Sequence, residues 1–331
     1  MMANKTIKAL IIVITISFSI IVSVPILILS TALSSYGRIS KSLFYYYNPS
    51  EPTFIKELNI NADIGEIEIR YITESSEYYA KVEVKIEMLG EGLASKSYLN
   101  YFKIEWQNES DYINFTMEIK GDMDLIEVLS LIKNIRILIF LRADVNCDIG
   151  IKVNIKGNTY LTVPFGSSVG NIKANISNGD IQYDLSYCTI EGNITGIIQE
   201  EGDLKLKFYN VEYNQNNTWC FNTRIGNIFL DIVQYTDING NISGTITHEQ
   251  GYISFTYQDD RINNGAYFTV YYHEDDLTLS NEIDESVGFN LHHSDEQPIV
   301  YLWCYDYPSK NNYNLLINNS NGLTHKFDLD A

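Results

Sequence analysis

The sequence predicts a mainly β protein: a glycine-cornered β-solenoid of coils about 23 residues long, with flanking antiparallel strands, behind one N-terminal transmembrane helix. Three observations carry that expectation. An apolar run of membrane-spanning length lies near the start, short stretches of alternating hydrophobicity fill the rest, and glycines recur at nearly constant spacing in the second half. With 331 residues and 45% hydrophobic content, the chain can build a large β domain and is too apolar to stay unfolded.

After Lys5 and Lys8 no charged residue appears until Arg38. Ala9 to Leu29 is largely apolar for 21 residues, about the ~20 that a helix needs to cross a bilayer. A cleaved signal peptide has an apolar core of only ~7–15 residues before a small-residue exit. Ser30-Thr31-Ala32 offers such an exit, but the run is too long for that template. The expected order is a cytoplasmic stub at 1–8, a retained anchor at 9–33 and a juxtamembrane linker at 34–53. Phe44-Tyr45-Tyr46-Tyr47 reads either as an aromatic belt at the outer interface or as ordinary linker. A short cationic start before a large body is the pattern of exported proteins, which puts the body on the extracytoplasmic side of the cell membrane. Seven N-x-S/T sequons beyond the anchor, at Asn108, Asn114, Asn175, Asn193, Asn216, Asn241 and Asn318, fit an exported glycoprotein.

The chain carries a formal charge of −19, and the first 33 residues hold two bases and no acid, so the exported body stands at −21. Such a body repels phosphates, which argues against nucleic acid as a partner. P-loop and G-x-G-x-x-G fingerprints are absent, so neither a nucleotide nor any other cofactor is expected. Cys147, Cys188, Cys220 and Cys304 form no C-x-x-C pair. Outside the cytoplasm they allow two disulfides in any of three pairings, and each also suits a small core position.

Residues 54–121 read as antiparallel strands, in stretches such as "KELNINADIGEIEIRY" and "YYAKVEVKIEM". Residues 122–146 break the pattern. Leu125, Val128, Leu129, Ile132 and Ile135 recur at helical spacing behind a cap at Asp122 or Asp124, which predicts a helix to about residue 135 and then a strand. That unit can cover an open end of the β structure.

Residues 147–260 are repetitive. Gly179, Gly202, Gly226 and Gly251 are spaced by 23, 24 and 25, and the second, fourth and sixth residues after each are apolar or aromatic. The first inward positions of this core are Ile181, Leu204, Ile228 and Ile253. A second phrase interleaves, as "GNIKANI", "GNITGII", "NTWCFNT" and "GNISGTI". Units that cannot bury their own apolar edge must stack, and Gly or Asn tolerates the positive φ of a sharp corner. Around Gly150 the apolar positions are displaced by one, which reads as an irregular first coil; 261–331 keeps strand patterning without the period, as a C-terminal β cap.

These G-[DN]-[IL]-x-[LYF] phrases behind an anchor resemble the head GIN type of adhesin family of prokaryotic cell-surface proteins, over roughly residues 55–260 and most clearly at 170–257. The resemblance implies a surface β-solenoid with a role in adhesion or envelope sensing, and it supplies no catalytic residues.

Gly166-Ser167-Ser168-Val169-Gly170 fits G-x-S-x-G, but a nucleophile elbow needs a helix after it, and the residues beyond Gly170 alternate as a strand. Ser168 is therefore read as corner filling. His273, Asp275, His292 and Asp295, in "YYHEDD" and "LHHSDE", are metal-ligand types without a metal motif. Tyr301, Trp303 and Tyr305 share one face of a strand, which either half-buries against the solenoid cap or suits sugar rings or a protein partner. The expected function is binding or scaffolding at the cell surface without catalysis, toward envelope glycans or membrane proteins. Two alternatives are a regulatory or sensor subunit of an envelope membrane complex, and a glycan-active β-helix enzyme, which would need a groove with convergent acids.

Overall fold

Where apolar and polar residues alternate, strands form and the apolar set faces inward. The structure, a computed structural model, describes residues 36–48, 55–72, 76–91, 98–109, 111–213 and 216–234, and the strands 241–250, 253–259, 266–271, 289–293, 299–304, 311–319 and 326–330. The first half contains β1 (Tyr36–Tyr47), β2 (Glu57–Ile64), β3 (Glu66–Ile72), β4 (Ala80–Glu91), β5 (Phe102–Asn108), β6 (Tyr112–Ile119), a short helix α1 (Leu125–Leu131) and β7 (Ile132–Arg142). The coils come next. β8 (Asp148–Lys156) and β9 (Thr159–Val163) are succeeded by β10 (Ser168–Val169), β11 (Ile172–Asn178) and β12 (Ile181–Ser186). The next turns are β13 (Thr189–Ile190), β14 (Ile194–Glu201) and β15 (Leu204–Tyr209), then β16 (Glu212–Tyr213), β17 (Asn217–Ile225) and β18 (Ile228–Gln234). β19 (Asn241–Gln250), β20 (Ile253–Asp259), β21 (Ala266–Tyr271), β22 (Phe289–His293), β23 (Ile299–Cys304), β24 (Asn311–Asn319) and β25 (Lys326–Asp330) complete the described strands.

These strands form a 10-stranded sheet, a 12-stranded sheet and a short 3-stranded sheet. A coil such as β10–β11–β12 visits the short, the 12-stranded and the 10-stranded sheet in turn, and the next coil lies parallel beside it. Ile181, Leu204, Ile228 and Ile253 pair in line. The first three are fully buried, and the side chain of Ile253 lies outside the described residues. In the 12-stranded sheet Leu58, Ile149, Ile172, Ile194 and Trp219 make a second line. Both long sheets are nevertheless mixed. β1–β4–β7 joins one by antiparallel pairs, and β5–β6 and β21–β23–β22 join the other, so a uniform solenoid does not describe either sheet as a whole.

The corners explain the glycine spacing. Gly65, Gly179, Gly202 and Gly226 have φ between +124° and +152°, and a Cβ on Gly202 would lie 1.9 Å from the carbonyl oxygen of Gly179. The same crowding identifies a corner that the period alone misses. A Cβ on Gly157 would lie 1.9 Å from the Gly65 oxygen. Gly157, not Gly150, is thus the corner of the β8–β9 coil, whose Ile149, Ile151 and Val153 pair in register with Ile172, Ala174 and Ile176. The expected irregularity there is corrected: Thr159 occupies the first inward position, where an apolar residue was sought.

Side-chain ladders bind successive corners. Asp148, Asn171 and Asn193 each accept, through Oδ1, the main-chain N–H one rung on, of Asn171, Asn193 and Thr218 respectively. On the other edge Asn158, Asp180 and Asp203 do the same for Asp180, Asp203 and Asn227. Each ladder satisfies an N–H that the turn leaves unpaired.

Several further expectations are corrected. The antiparallel reading of 54–121 holds for β5–β6, whereas β2 lies parallel to β6 and β8, and β3 parallel to β7 and β9; β4 pairs antiparallel with β7 and with β1, a strand in the segment expected as a linker. Alternation specifies a buried face but carries no direction for the partner strand. α1 ends at Leu131, four residues early, because Ile132 is already extended and the β-branched run beyond it alternates into β7. Asp124 is its N-cap, accepting from the N–H groups of Ile126 and Glu127. β7 does not cover an end; it sits between β4 and β3 inside the 10-stranded sheet. The Phe44–Tyr47 belt is part of β1: Tyr47 is buried and Tyr45 stacks on Trp106 at 5.7 Å, while Phe44 and Tyr46 lie by the Lys81 ammonium. In the C-terminal segment β24 and β25 extend the parallel order beyond β19 and β20. Within β17–β19 the phrase slips by two residues, so that Trp219 faces Gly244 and not Ile242.

Candidate aromatic binding surface

Just past the ends of β9, β12 and β15 the chain turns from the 10-stranded sheet toward the short sheet. Phe165 and Tyr187 stand at these turns and Tyr209 is the last residue of β15, with a spacing of 22 residues between successive members. Their rings form a row: Phe165 and Tyr187 at 5.9 Å between centroids, Tyr187 and Tyr209 at 4.9 Å in an edge-to-face arrangement. Phe165 is 81% exposed and Tyr187 40%. Tyr187 adopts φ 51°, the left-handed region that a bulky residue avoids at a cost of about 1–2 kcal/mol. A hydrogen bond to Tyr209 holds the Tyr187 proton above the ordinary tyrosine pKa. Ser186 donates to Asp184 at 2.9 Å and adds a polar rim.

The same sheet face carries a shallow groove of about 340 Å³ lined by Glu66, Glu68, Arg136, Tyr160, Thr162, Gln182 and Asp184. Arg136 pairs with both Glu66 and Glu68. These two carboxylates are ion-pair partners here, where glycoside hydrolysis needs an acid and a base flanking the bond.

Ser168 lies in β10 beside Thr189 of β13, and Gly170 leads into strand β11, where an elbow would continue as helix. Among the described residues Cys147, Cys188 and Cys220 are free thiols; Cys304 is in β23, with its side chain outside the described residues. Cys147 and Cys188 stand two rungs apart, about 10 Å by strand spacing, beyond disulfide reach. Burial pushes both thiols up to about 12 from an ordinary 9.0. Between those values the unfolded chain releases protons that the folded thiols keep, so their contribution to stability is intact below about pH 9 and falls as the pH rises toward 12. At pH 8 a thiol reagent should modify Cys147 and Cys188 only once denaturant has unfolded the protein; rapid labelling of either in the native state would contradict this burial.

His273, Asp275, Asp295 and Tyr305 lie outside the described residues. His292 is in β22 opposite Tyr301 of β23, and Trp303 is opposite Asn290 and Tyr267, with their side chains outside the described residues. Of the sequons, Asn108, Asn193 and Asn216 are exposed. Asn114 and Asn175 accept hydrogen bonds from Asn59 and Gln199. Asn241 and Asn318 lie in β19 and β24. Among the described residues no helix is long and apolar enough to cross a membrane, and the Ala9–Leu29 run lies outside them.

No family model and no curated protein matches the chain. Solved structures similar to it include a "putative cell adhesion protein" from Clostridium sporogenes, 12% identical, TM-score 0.32, with 88% of this chain and 100% of that one covered. A "putative adhesin" from Bacteroides fragilis is 9% identical, TM-score 0.33, with 88% and 97% covered. A "putative lipid binding protein" from Parabacteroides distasonis is 9% identical, TM-score 0.26, with 86% and 96% covered. At these scores the likenesses decide nothing about activity.

The aromatic row is hidden in the sequence because the glycine period directs the eye to the inward, even-numbered positions. Its signal is nonetheless present as a spacing of 22 between Phe165, Tyr187 and Tyr209, although these stand eight, eight and seven residues past Gly157, Gly179 and Gly202 and so keep no common position in the glycine period.

Proposed function

We propose that the chain is a membrane-anchored, extracytoplasmic β-solenoid with an adhesin-like role, which binds neutral glycans at the Phe165–Tyr187–Tyr209 row and does not catalyse. The anchor reading is supported by the 21-residue apolar run behind Lys5 and Lys8. The solenoid reading is supported by parallel coils in register on all three sheets. The binding reading rests on Tyr187. Asn210, one rung on, has the same left-handed backbone at φ 52°, so the conformation belongs to the corner, and at Tyr187 that corner is used to display a ring between two other rings. Flat aromatic faces with hydroxyl and carboxylate neighbours match sugar rings, and the −19 charge turns away acidic polymers.

Tyr187→Gly in the detergent-solubilised full chain separates binding from folding. Glycine relaxes the left-handed corner, so the unfolding midpoint should hold or rise, while affinity for neutral oligosaccharides on a glycan array should fall at least tenfold. Unchanged array binding by Tyr187→Gly, or no neutral glycan bound by the parent chain, would refute the reading.

A further inference from the structure

We infer that the exposed apolar face of α1 rests in the outer surface of the bilayer beside the chain's own anchor, an inference that depends on the anchor reading above. α1 has two apolar sides. Val128 and Leu131 close into the core, whereas Leu125, Ile126 and Leu129 are 41%, 80% and 38% exposed. Leu125 and Leu129 are four residues apart and share a side of the helix, with Ile126 next to them. Isolated exposed apolar residues need no explanation, but a contiguous set on one short element marks an interaction surface.

The topology indicates what lies opposite that surface. β1 pairs with β4 and β4 with β7, so that Ile39 faces Met88 and Met88 faces Ile132, the residue directly after α1. Two strand spacings, about 10 Å, therefore separate the helix end from Ile39, and the entry of β1 at Tyr36 lies three residues, about 10 Å, further along the strand at the same end of the sheet. Only residues 30–35 lie between the apolar run and Tyr36, and a fully extended chain from Leu29 to Tyr36 spans at most ~25 Å. A bilayer that holds Leu29 thus lies at the end of the sheet that displays α1.

Charge narrows the lipid. Asp122, Asp124 and Glu127 border the face, and they repel anionic headgroups, whereas a zwitterionic surface accommodates them. Lys133, exposed just past the helix, can meet a headgroup phosphate. Three apolar side chains would hold a free protein only weakly. On a tethered body the local lipid concentration is already high, so weak insertion suffices to fix orientation.

The test uses the full chain in phosphatidylcholine vesicles whose acyl chains carry bromine at shallow carbons. The emission added by Ile126→Trp should be quenched at least twofold more than that added by Phe165→Trp, a control at the exposed aromatic corner. Equal quenching at the two positions overturns the inference. A blue-shifted but unquenched Ile126→Trp also overturns it, since protein and not lipid would then cover the face. Flotation of the parent chain separates the two claims: a chain that fails to float defeats the anchor reading and this inference together, whereas a floating chain with unquenched Ile126→Trp defeats the inference alone.

Discussion

Trp219→Ala is expected to lower the unfolding free energy by about 3–5 kcal/mol. Trp219 is fully buried, stacks on Phe208 at 4.7 Å with only 8° between the ring planes, and touches Phe221 and Tyr213 at 5.8 and 6.2 Å between centroids. It stands between Ile194 on one side and Gly244 on the other in a line that begins Leu58, Ile149 and Ile172, so an alanine there leaves a void that rigid neighbouring rungs cannot close. Urea unfolding measures the effect as a lower midpoint at unchanged slope. Trp219→Phe keeps the ring contact with Phe208 and should cost less than half as much. A loss below about 1 kcal/mol for the alanine variant would show that the coils enclose no shared, close-packed interior.

Gly202→Ala is expected to cost about 4 kcal/mol although it adds a single methyl group. The residue has φ +152°, and the new Cβ would meet the Gly179 carbonyl oxygen at 1.9 Å, a backbone atom fixed by the rung beneath. Gly121→Ala is the control. No atom lies within 4 Å of its Cβ position, and the change should fall within about 0.5 kcal/mol of parent stability. If the two alanines destabilise equally, steric closure at the corner is not what the repeated glycines provide.

The inward half of each coil can be read from sequence because one rule acts on it alone: period-two alternation after a turn that only glycine makes easily. Ile181, Leu204 and Ile228 obey it, and so does the Gly65 phrase far upstream, where Ile67 and Ile69 are buried. What alternation lacks is a partner. Nothing in "ELNINADI" tells whether its neighbour runs parallel or antiparallel, so the expected direction of β2 is the wrong one. The Gly157 coil is hidden by Thr159, a β-branched residue that fills the inward site with a methyl and a hydroxyl. The end of α1 is displaced because Ile132 and Ile135 satisfy helical and strand spacing at once, and the packing of β7 between β4 and β3 decides between them. Tyr187 could not be foreseen as strained, since φ depends on the closure of a coil and not on neighbours in sequence.

The pairing of β1 has a mechanical consequence. All twelve of its residues, from Tyr36 to Tyr47, face β4, and the link to the N-terminal run leaves from the Tyr36 end. Under the anchoring proposed above, tension drawn through that link would pull along the strand axis, so that the cross-strand bonds would be loaded together in shear and not peeled one by one. A protein gripped from outside would thus transmit load into its sheet, and the first strand would behave as a clasp and not as a zipper.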